Sequence, residues 1–181
     1  MSIVPSEARA ETSPESEPAE PAELAEEIAR EGQAQGHLLM VLDYEATLGP
    51  RNGSAPDLPL LVRGALVALA TSPDACVVIV SAGEASQLET RIKVPGVVYV
   101  GAGPSVEWIV AQRGREARER SVIVFLGAGE SFAKLGKVRY AVHVGRPRGK
   151  PAASHWVFDR ASAVELLAWL AFAWSAPAPT P

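Results

Sequence analysis

Residues that could carry out chemistry stand directly after apolar runs of the chain. Asp43 and Glu45 follow the first run with one residue between them, and Ser81 ends the second run. Carboxylates can act as nucleophiles or as acids and bases, and a hydroxyl group can donate a hydrogen bond to an anion. The positions of these three residues therefore indicate a candidate catalytic or anion-binding site.

Two glycine-rich loops share the pattern Gly-Ala-Gly-x-Ser, at residues 101–105 and 127–131. Their backbone N–H groups could cradle an anion at the start of a helix. The same pattern also fits a tight turn in which the serine caps the following helix. Neither loop completes Gly-x-Gly-x-x-Gly, and the first apolar run is followed by Asp-Tyr-Glu-Ala-Thr, so the sequence carries no dinucleotide-binding fingerprint.

The elements that must position these residues alternate along the chain. Apolar, β-branched runs predict buried strands, and the stretches between them predict helices. This order predicts an α/β domain with a doubly wound, mainly parallel five-stranded sheet, in which ligands bind outside the carboxyl ends of the strands. The predicted strands are 37–42, 76–81, 97–100, 121–126 and 140–144, and the predicted helices are 58–71, 84–92, 105–112, 131–135 and 161–174.

Four segments at the strand ends carry a family resemblance: LLMVLDYEATL, VIVSAGEASQL, YVGAGPSVEW and FLGAGESFAKL. They resemble LLLDYDGTL, IVSGR, GxHG and FLGDDxTDE of the haloacid dehalogenase superfamily, and within it of the trehalose-6-phosphate phosphatases. A strand containing YAVHVG and a final apolar helix extend the likeness over residues 37–174. The resemblance implies a Rossmann-like core of the haloacid dehalogenase type.

The resemblance implies a role for each matching residue. In this family the first aspartate attacks phosphorus and forms an aspartyl-phosphate, which assigns the nucleophile to Asp43. Glu45 takes the place of the acid/base aspartate, with a side chain one methylene longer. Thr47, Ser81 and Gly83 fall at positions that hold the phosphoryl group.

The chain departs from the family pattern where a magnesium site is expected. Gly127-Ala128-Gly129 replaces the acidic pair after the fourth strand, so the remaining side-chain ligands would be Asp43 and, by reaching back, Glu130. Mg²⁺ is usually anchored by one or two carboxylates in near-octahedral oxygen coordination. The interval between the third and fourth predicted strands is also too short for the family's cap domain.

These departures predict a pseudoenzyme, which keeps the fold, has lost Mg²⁺-dependent phosphatase activity and serves as a binding or assembly module. No cofactor is expected in that interpretation. The alternative is a weak or altered Mg²⁺-dependent sugar-phosphate phosphatase, in which Asp43 and Glu130 hold the metal and Glu45 moves the proton. A third interpretation is an unrelated small α/β binding module.

The two ends of the chain have compositions typical of tails. Residues 1–36 carry nine glutamates and two arginines, a net charge of −7, whereas the remaining residues carry 12 acidic and 15 basic side chains, a net charge of +3. We expect residues 1–36 to be largely disordered, with at most a short helix at 22–31. The acidic tail could keep the protein soluble or dock onto a partner. The folded domain is then expected over 37–174, followed by a proline-rich tail at 175–181.

The final predicted helix is apolar on nearly every side, which is more than a helix covering one face of a sheet requires. Part of its surface should pack against the N-terminal segment, a second copy of the chain or another protein. Large aromatic side chains are typical anchors of such contacts. The expected interface residues are Leu166, Trp169, Leu170, Phe172 and Trp174.

Composition argues against several other kinds of site. The single cysteine, Cys76, leaves no disulfide framework or cysteine-based zinc site, and the three histidines lack metal-ligand spacing. No apolar run reaches the roughly 18–20 residues of a membrane span. No signal peptide is recognised at the N-terminus, so a cytoplasmic location is expected. The small positive charge of the body does not favour nucleic-acid binding.

Overall fold

Six strands form one parallel sheet in the computed structural model, which describes residues 17–49, 58–102, 108, 121–128, 138–147 and 154–176. The strands are β1 Leu38–Asp43, β2 Ala75–Val80, β3 Val98–Val100, β4 Val122–Gly127, β5 Tyr140–Val144 and β6 His155–Val157. Their spatial order is β3-β2-β1-β4-β5-β6, and every pair of neighbours is parallel. The predicted α/β class and parallel sheet are therefore confirmed.

The helices within the described residues connect and cover this sheet. They are α1 Pro21–Gln35, α2 Tyr44–Thr47, α3 Leu60–Ala70, α4 Ala85–Ile92 and α5 Arg160–Ser175. The predicted helices at 58–71, 84–92 and 161–174 are confirmed within two residues at each end. The predicted helices at 105–112 and 131–135 lie outside the described residues except for Trp108, as does most of the interval in which no cap domain is expected.

The sheet contains one strand more than the sequence predicts. β6 pairs with β5 in parallel register, with His143 opposite Trp156. The strand is only three residues long, and so short an apolar run gives no period-2 pattern to recognise. The five-stranded sheet predicted from the sequence is therefore corrected to six strands.

β1 is buried on both faces, as its uninterrupted apolar sequence predicts. Leu38, Met40 and Leu42 point to one face and pack with residues of α1, α3, α4 and α5. Leu39 and Val41 point to the opposite face and pack with residues of β2 and β4. This double burial fixes the strand that ends in Asp43 at the centre of the sheet.

α1 is part of the folded domain, although its acidic composition predicts a tail. Leu24 and Ile28 are buried in the main core. The backbone of Gly32 lies so close to the ring of Trp174 that a Cβ atom at residue 32 would be 2.6 Å from it. The packed domain therefore begins before residue 37, and the helix predicted at 22–31 is longer than expected. Residues 1–16 and 177–181 lie outside the described part of the chain.

α5 lies between α1 and α3 and buries most of the side chains predicted to form an intermolecular interface. Leu166, Leu170 and Trp174 belong to the core, and the Trp174 indole N–H donates a hydrogen bond to the Ser72 hydroxyl, 3.0 Å away. The prediction that they form an intermolecular interface is wrong, because all three are buried within the domain, where Gly32 of α1 packs against Trp174. Trp169 and Phe172 remain exposed and contact each other edge to face, with ring centroids 5.9 Å apart.

Polar contacts also attach α1 to the sheet. The Tyr140 hydroxyl of β5 lies against two carboxylates of α1, at 2.9 Å from Glu27 Oε1 and in hydrogen-bond contact with Glu31 Oε2. Arg139 Nε donates to Glu31 Oε1 at 2.8 Å. The acidic side of α1 therefore serves to bind this helix to the domain.

None of the helices in the described ranges combines the length and the apolar character that crossing a bilayer requires.

Candidate functional site

The candidate site lies at the point where the chain order of the sheet reverses. From β1 the chain continues through β2 to β3 on one side, and then returns to β4 on the other side of β1. Ligands of such folds bind in the crevice outside the carboxyl ends of the strands at this point. Asp43 is the last residue of β1, and Gly127 is the last residue of the neighbouring β4.

Asp43 is held in place by backbone N–H groups from two elements. Its Oδ1 accepts a hydrogen bond from Ala46 N at 3.1 Å, which caps the short helix α2. Its Oδ2 accepts from Ala128 N, directly after β4, at 3.4 Å. Burial raises the pKa of Asp43, the charge of Glu45 raises it further, and the backbone hydrogen bonds oppose this shift.

Gly127 makes the close approach of β4 to Asp43 feasible. A Cβ atom at residue 127 would lie 2.5 Å from Asp43 Cβ and 2.6 Å from the ring of Phe125. Any residue other than glycine at the end of β4 would therefore push the carboxylate out of its position.

A hydrogen bond joins Glu45, the predicted acid/base residue, to Ser81, a predicted phosphate-binding residue. The Ser81 hydroxyl donates a hydrogen bond to Glu45 Oε1, and Ala82 N donates to the same oxygen at 3.2 Å. The predicted phosphate-binding residue Gly83 donates its N–H to Ser81 Oγ at 3.0 Å. The structure therefore brings Glu45, Ser81 and Gly83 together beside Asp43. The hydrogen-bond donors after β2, the Ser81 hydroxyl and the Ala82 N–H, are directed at the Glu45 carboxylate of the same chain.

Thr47 does not face the site as a hydrogen-bond donor. Its side chain is buried, and its hydroxyl donates to the backbone carbonyl of Asp43. Since a threonine hydroxyl has one proton, none remains for an anion. The predicted phosphate-binding role of Thr47 is replaced by a structural role, because the hydroxyl closes the turn that follows β1.

The loop after β2 is fixed by the loop after β3. Ser81 N donates to Val100 O at 3.0 Å, and Ala102 N donates to Gly83 O at 2.8 Å. Gly101 approaches so closely that a Cβ atom there would lie 2.5 Å from Ala85 N. These contacts hold the Ser81 hydroxyl at a defined position above the sheet.

Arg160 supports the site, although no sequence pattern predicts this role. Its two terminal nitrogens donate to the backbone carbonyls of Gly49 and Glu45, and so connect the start of α5 to the turn after β1. A contact between residues 115 positions apart leaves no local pattern in the sequence. Arg160 therefore positions the backbone of Glu45 and not its carboxylate.

The residues of the described site do not fit a magnesium ion. The described ranges contain no group of three His, Cys, Asp or Glu side chains that could hold a metal. Both oxygens of Asp43 accept backbone hydrogen bonds, from Ala46 and Ala128. Glu130, the predicted second ligand, lies outside the described residues. The described residues around Asp43 therefore do not by themselves supply a near-octahedral oxygen shell with carboxylate anchors.

Comparisons with known proteins identify the fold. No protein-family model matches the chain, and no curated protein matches it. Among solved structures, the trehalose-6-phosphate phosphatase of Aspergillus fumigatus matches with a TM-score of 0.68 and 14% identity, over 87% of this chain and 99% of that chain. The C-terminal domain of the Candida albicans trehalose-6-phosphate phosphatase matches with a TM-score of 0.62 and 13% identity, over 86% and 98% of the two chains.

A second type of phosphatase shares the same architecture. The 3-deoxy-D-manno-octulosonate 8-phosphate phosphatase of Yersinia pestis matches with a TM-score of 0.58 and 17% identity, over 83% of this chain and 86% of that chain. At these identities the likeness shows the fold alone. The resemblance to haloacid dehalogenase phosphatases, and to trehalose-6-phosphate phosphatases among them, is therefore confirmed at the level of the fold.

Proposed function

We propose that this protein uses a haloacid dehalogenase phosphatase fold without Mg²⁺-dependent hydrolysis, and serves as a binding or assembly module. The observation that carries this proposal is the bond between Glu45 and Ser81. The residue in the acid/base position is engaged with the residue in the phosphoryl-binding position, and both oxygens of Asp43 accept backbone N–H groups. Of the three side chains that would transfer a phosphoryl group, Glu45 and Ser81 are therefore engaged with each other, and Asp43 is engaged with the backbone.

Charge supports the same proposal. A phosphate monoester is an anion, and it would approach two carboxylates, Asp43 and Glu45. A divalent cation normally compensates such charges at a phosphoryl-transfer site. The described side chains do not supply a site for that cation, so the approach of the phosphate to Asp43 is opposed by repulsion.

The competing function is weak Mg²⁺-dependent hydrolysis of a sugar phosphate. It draws support from the register of the sheet, because Asp43 pairs with Val80 and the Ser81 hydroxyl therefore follows on the neighbouring strand. It further requires Glu130 to act as a metal ligand and Glu45 to leave Ser81. Both requirements can be tested by kinetics on the purified full-length chain.

The test is a phosphatase assay with p-nitrophenyl phosphate and trehalose-6-phosphate, with millimolar Mg²⁺ and with a chelator. We expect the parent protein and Asp43→Asn to have equal rates, at the level of the buffer blank. Asparagine is matched in size and can still cap α2, and circular dichroism checks that the variant is folded. Mg²⁺-dependent hydrolysis that disappears in Asp43→Asn would contradict the proposal and establish the competing function.

The exposed sides of the neighbouring helices α3 and α5 form one surface, which we call the assembly surface. We propose that a second copy of the chain binds to it. Only one of its exposed residues is charged, whereas α1 exposes mainly charged residues. In a symmetric dimer this surface packs against the same surface of the second copy. A surface with little charge therefore brings few like charges into contact. A face for a charged partner would itself carry complementary charge. The exposed residues are Leu60, Leu61, Gly64 and Val67 of α3 and Ala161, Glu165, Trp169, Phe172 and Ser175 of α5.

Light scattering coupled to size-exclusion chromatography tests this surface. Phe172 is 70% exposed on α5, and Phe158 is 69% exposed in the turn before it, which makes the two a matched pair. We expect a dimer for the parent protein and for Phe158→Ala, and a monomer for Phe172→Ala. A monomeric parent at tens of micromolar, or a dimer that Phe172→Ala leaves intact, would contradict the assignment.

A further inference from the structure

Four helices lie side by side over one face of the sheet, and their buried side chains belong to one core cluster. α5 lies between α3 and α1. α4 lies beyond α3, where it connects β2 to β3, and Arg63 Nη1 of α3 donates to Ile92 O at 2.9 Å and to Lys93 O at 3.3 Å at the end of α4. The order across the face is therefore α4, α3, α5, α1, with the assembly surface in the middle of this row.

The four helices run in the same direction. α3 and α4 are the crossovers between parallel strands, so both run from the carboxyl edge of the sheet to the amino edge. The C-terminal ends of α1, α3 and α5 meet at the amino edge, where Gln33 Nε2 donates to Ala173 O at 3.3 Å and Trp174 Nε1 donates to Ser72 Oγ at 3.0 Å. Pairing two such rows face to face therefore leaves the direction of the two-fold axis to be decided.

The two outer helices of the row differ in charge. α1 exposes three glutamates and one arginine, whereas the last turn of α4 and its C-cap expose two basic residues and one glutamate. No described ion pair involves Glu26, Arg91 or Lys93, so these charges are available to an external partner. The exposed charged residues are Glu23, Glu26, Glu27 and Arg30 of α1, and Glu89, Arg91 and Lys93 at the end of α4.

A two-fold axis in the contact plane can run along the helices or across them. An axis along the helices reverses the order of the row in the second copy, so that α4 of one copy lies opposite α1 of the other and α3 lies opposite α5. An axis across the helices keeps the order, so that α1 lies opposite α1 and α4 lies opposite α4. Opposite charges meet in the first arrangement, and like charges meet in the second.

We propose that the two-fold axis of the dimer runs along α3 and α5, and that the glutamates of α1 in each copy bind the basic end of α4 in the other copy. This inference rests on the proposed assembly through α3 and α5. The apolar residues of the assembly surface supply the contact area, and the charged rim determines the orientation. Each rim contact occurs twice in the dimer, because the symmetry repeats it.

The test is the dissociation constant of the dimer, measured by sedimentation of the full-length protein at low ionic strength. We expect Glu26→Gln and Lys93→Gln each to raise this constant by about threefold to tenfold, because two exposed ion pairs are lost per dimer. Glu26→Lys and Lys93→Glu should each raise it further, and the double variant that exchanges the two charges should return to within about threefold of the parent value. Salt at about 0.5 M should weaken the parent dimer and reduce the differences between the variants.

Asp74→Asn and Arg146→Gln are the matched controls for net charge. Asp74 is an exposed acid before β2, and Arg146 is an exposed base after β5, so neither lies on α1 or α4. Each control should leave the dissociation constant within about twofold of the parent value. If the controls weaken the dimer as much as Glu26→Gln and Lys93→Gln do, net charge alone acts and the proposal is overturned.

Failure of this inference is distinguishable from failure of the proposed function. A parent protein that stays monomeric contradicts the assembly surface itself. A dimer that becomes tighter in Glu26→Gln and Lys93→Gln has like charges opposed, which overturns the proposal in favour of an axis across the helices. An unchanged dissociation constant, or a double variant that does not restore the dimer, overturns it as well. Thermal unfolding of each variant checks that the compared proteins are equally folded.

Discussion

Gly127 and Asp43 face each other across the two central strands, at a separation that only glycine allows. A Cβ atom at residue 127 would lie 2.5 Å from Asp43 Cβ and 3.1 Å from Asp43 Oδ2. The absence of a side chain at the end of β4 therefore determines where the carboxylate of β1 points. The position of Asp43 is a property of both strands and not of the first motif alone.

Gly127→Ala should destabilise the protein. The new methyl group meets Asp43 and Phe125 in a packed region, and overpacking of this kind costs about 1–3 kcal/mol in the free energy of unfolding. Urea denaturation monitored by tryptophan fluorescence measures the change. Gly64→Ala is the control, because Gly64 lies within α3 with no heavy atom near its Cβ position. There the exchange should stabilise the protein by about 0.5–1 kcal/mol, and equal effects of the two substitutions would contradict this account.

Arg160→Ala should loosen the turn that carries Glu45. Two backbone carbonyls, of Gly49 and Glu45, lose their charged donor. We expect a loss of about 1–3 kcal/mol in the free energy of unfolding and faster hydrogen exchange at residues 45–49. Arg91→Ala removes an exposed arginine of α4 and should change stability by less than about 0.5 kcal/mol. Unchanged exchange in Arg160→Ala would show that the arginine does not position the turn.

Ile28→Ala should show whether α1 belongs to the folding unit. Ile28 is fully buried in the core, and truncation of such a residue costs about 2–5 kcal/mol. Glu23→Ala, on the exposed side of the same helix, should change stability by less than about 0.5 kcal/mol. If both variants unfold like the parent protein, α1 does not contribute to the core and residues 1–36 return to being a tail.

Tyr140→Phe should alter how stability depends on pH. Burial raises the pKa of Tyr140, and the hydrogen bonds to Glu31 and Glu27 raise it further. A raised pKa means that the folded state keeps a proton which the unfolded chain releases above about pH 10. The stability contributed by the protonated hydroxyl is therefore complete below that pH and declines above it.

The measurement is urea denaturation of the parent protein and of Tyr140→Phe between pH 7 and pH 11. We expect the variant to be less stable by about 1–3 kcal/mol near neutral pH, and the gap to close as the pH rises past about 10. A gap that stays constant over the whole range would mean that the hydroxyl is not bonded to the carboxylates of α1.

Sequence reasoning found what depends on local pattern. The apolar runs before Asp43 and up to Ser81 predict the ends of β1 and β2 to within two residues. They do so because strands buried on both faces are continuously apolar. The sequence does not predict β6, because a strand of three residues is too short to show an alternating apolar pattern. The composition of α1 predicts a tail because its four glutamates outnumber its two large apolar residues, Leu24 and Ile28, but these two lie on one face and are buried together.

The details of the site depended on contacts that no local pattern encodes. Whether Glu45 faces a substrate or Ser81 is decided by the rotation of one side chain and by the register of β1 with β2. The role of Arg160 depends on where α5 begins relative to a turn at the other end of the chain. The apolar surface of α5 predicts a covering partner, but it does not distinguish the N-terminal segment, which packs against Trp174, from a second copy or another protein.

Metal binding tests the central claim most directly. Titration of the full-length protein with Mg²⁺, and with Mn²⁺ as a spectroscopic probe, should give no saturable binding at millimolar concentration and no difference between the parent protein and Asp43→Asn. Saturable binding at millimolar concentration that disappears in Asp43→Asn would contradict the account, because it would show that the site supplies the ligand shell that hydrolysis requires.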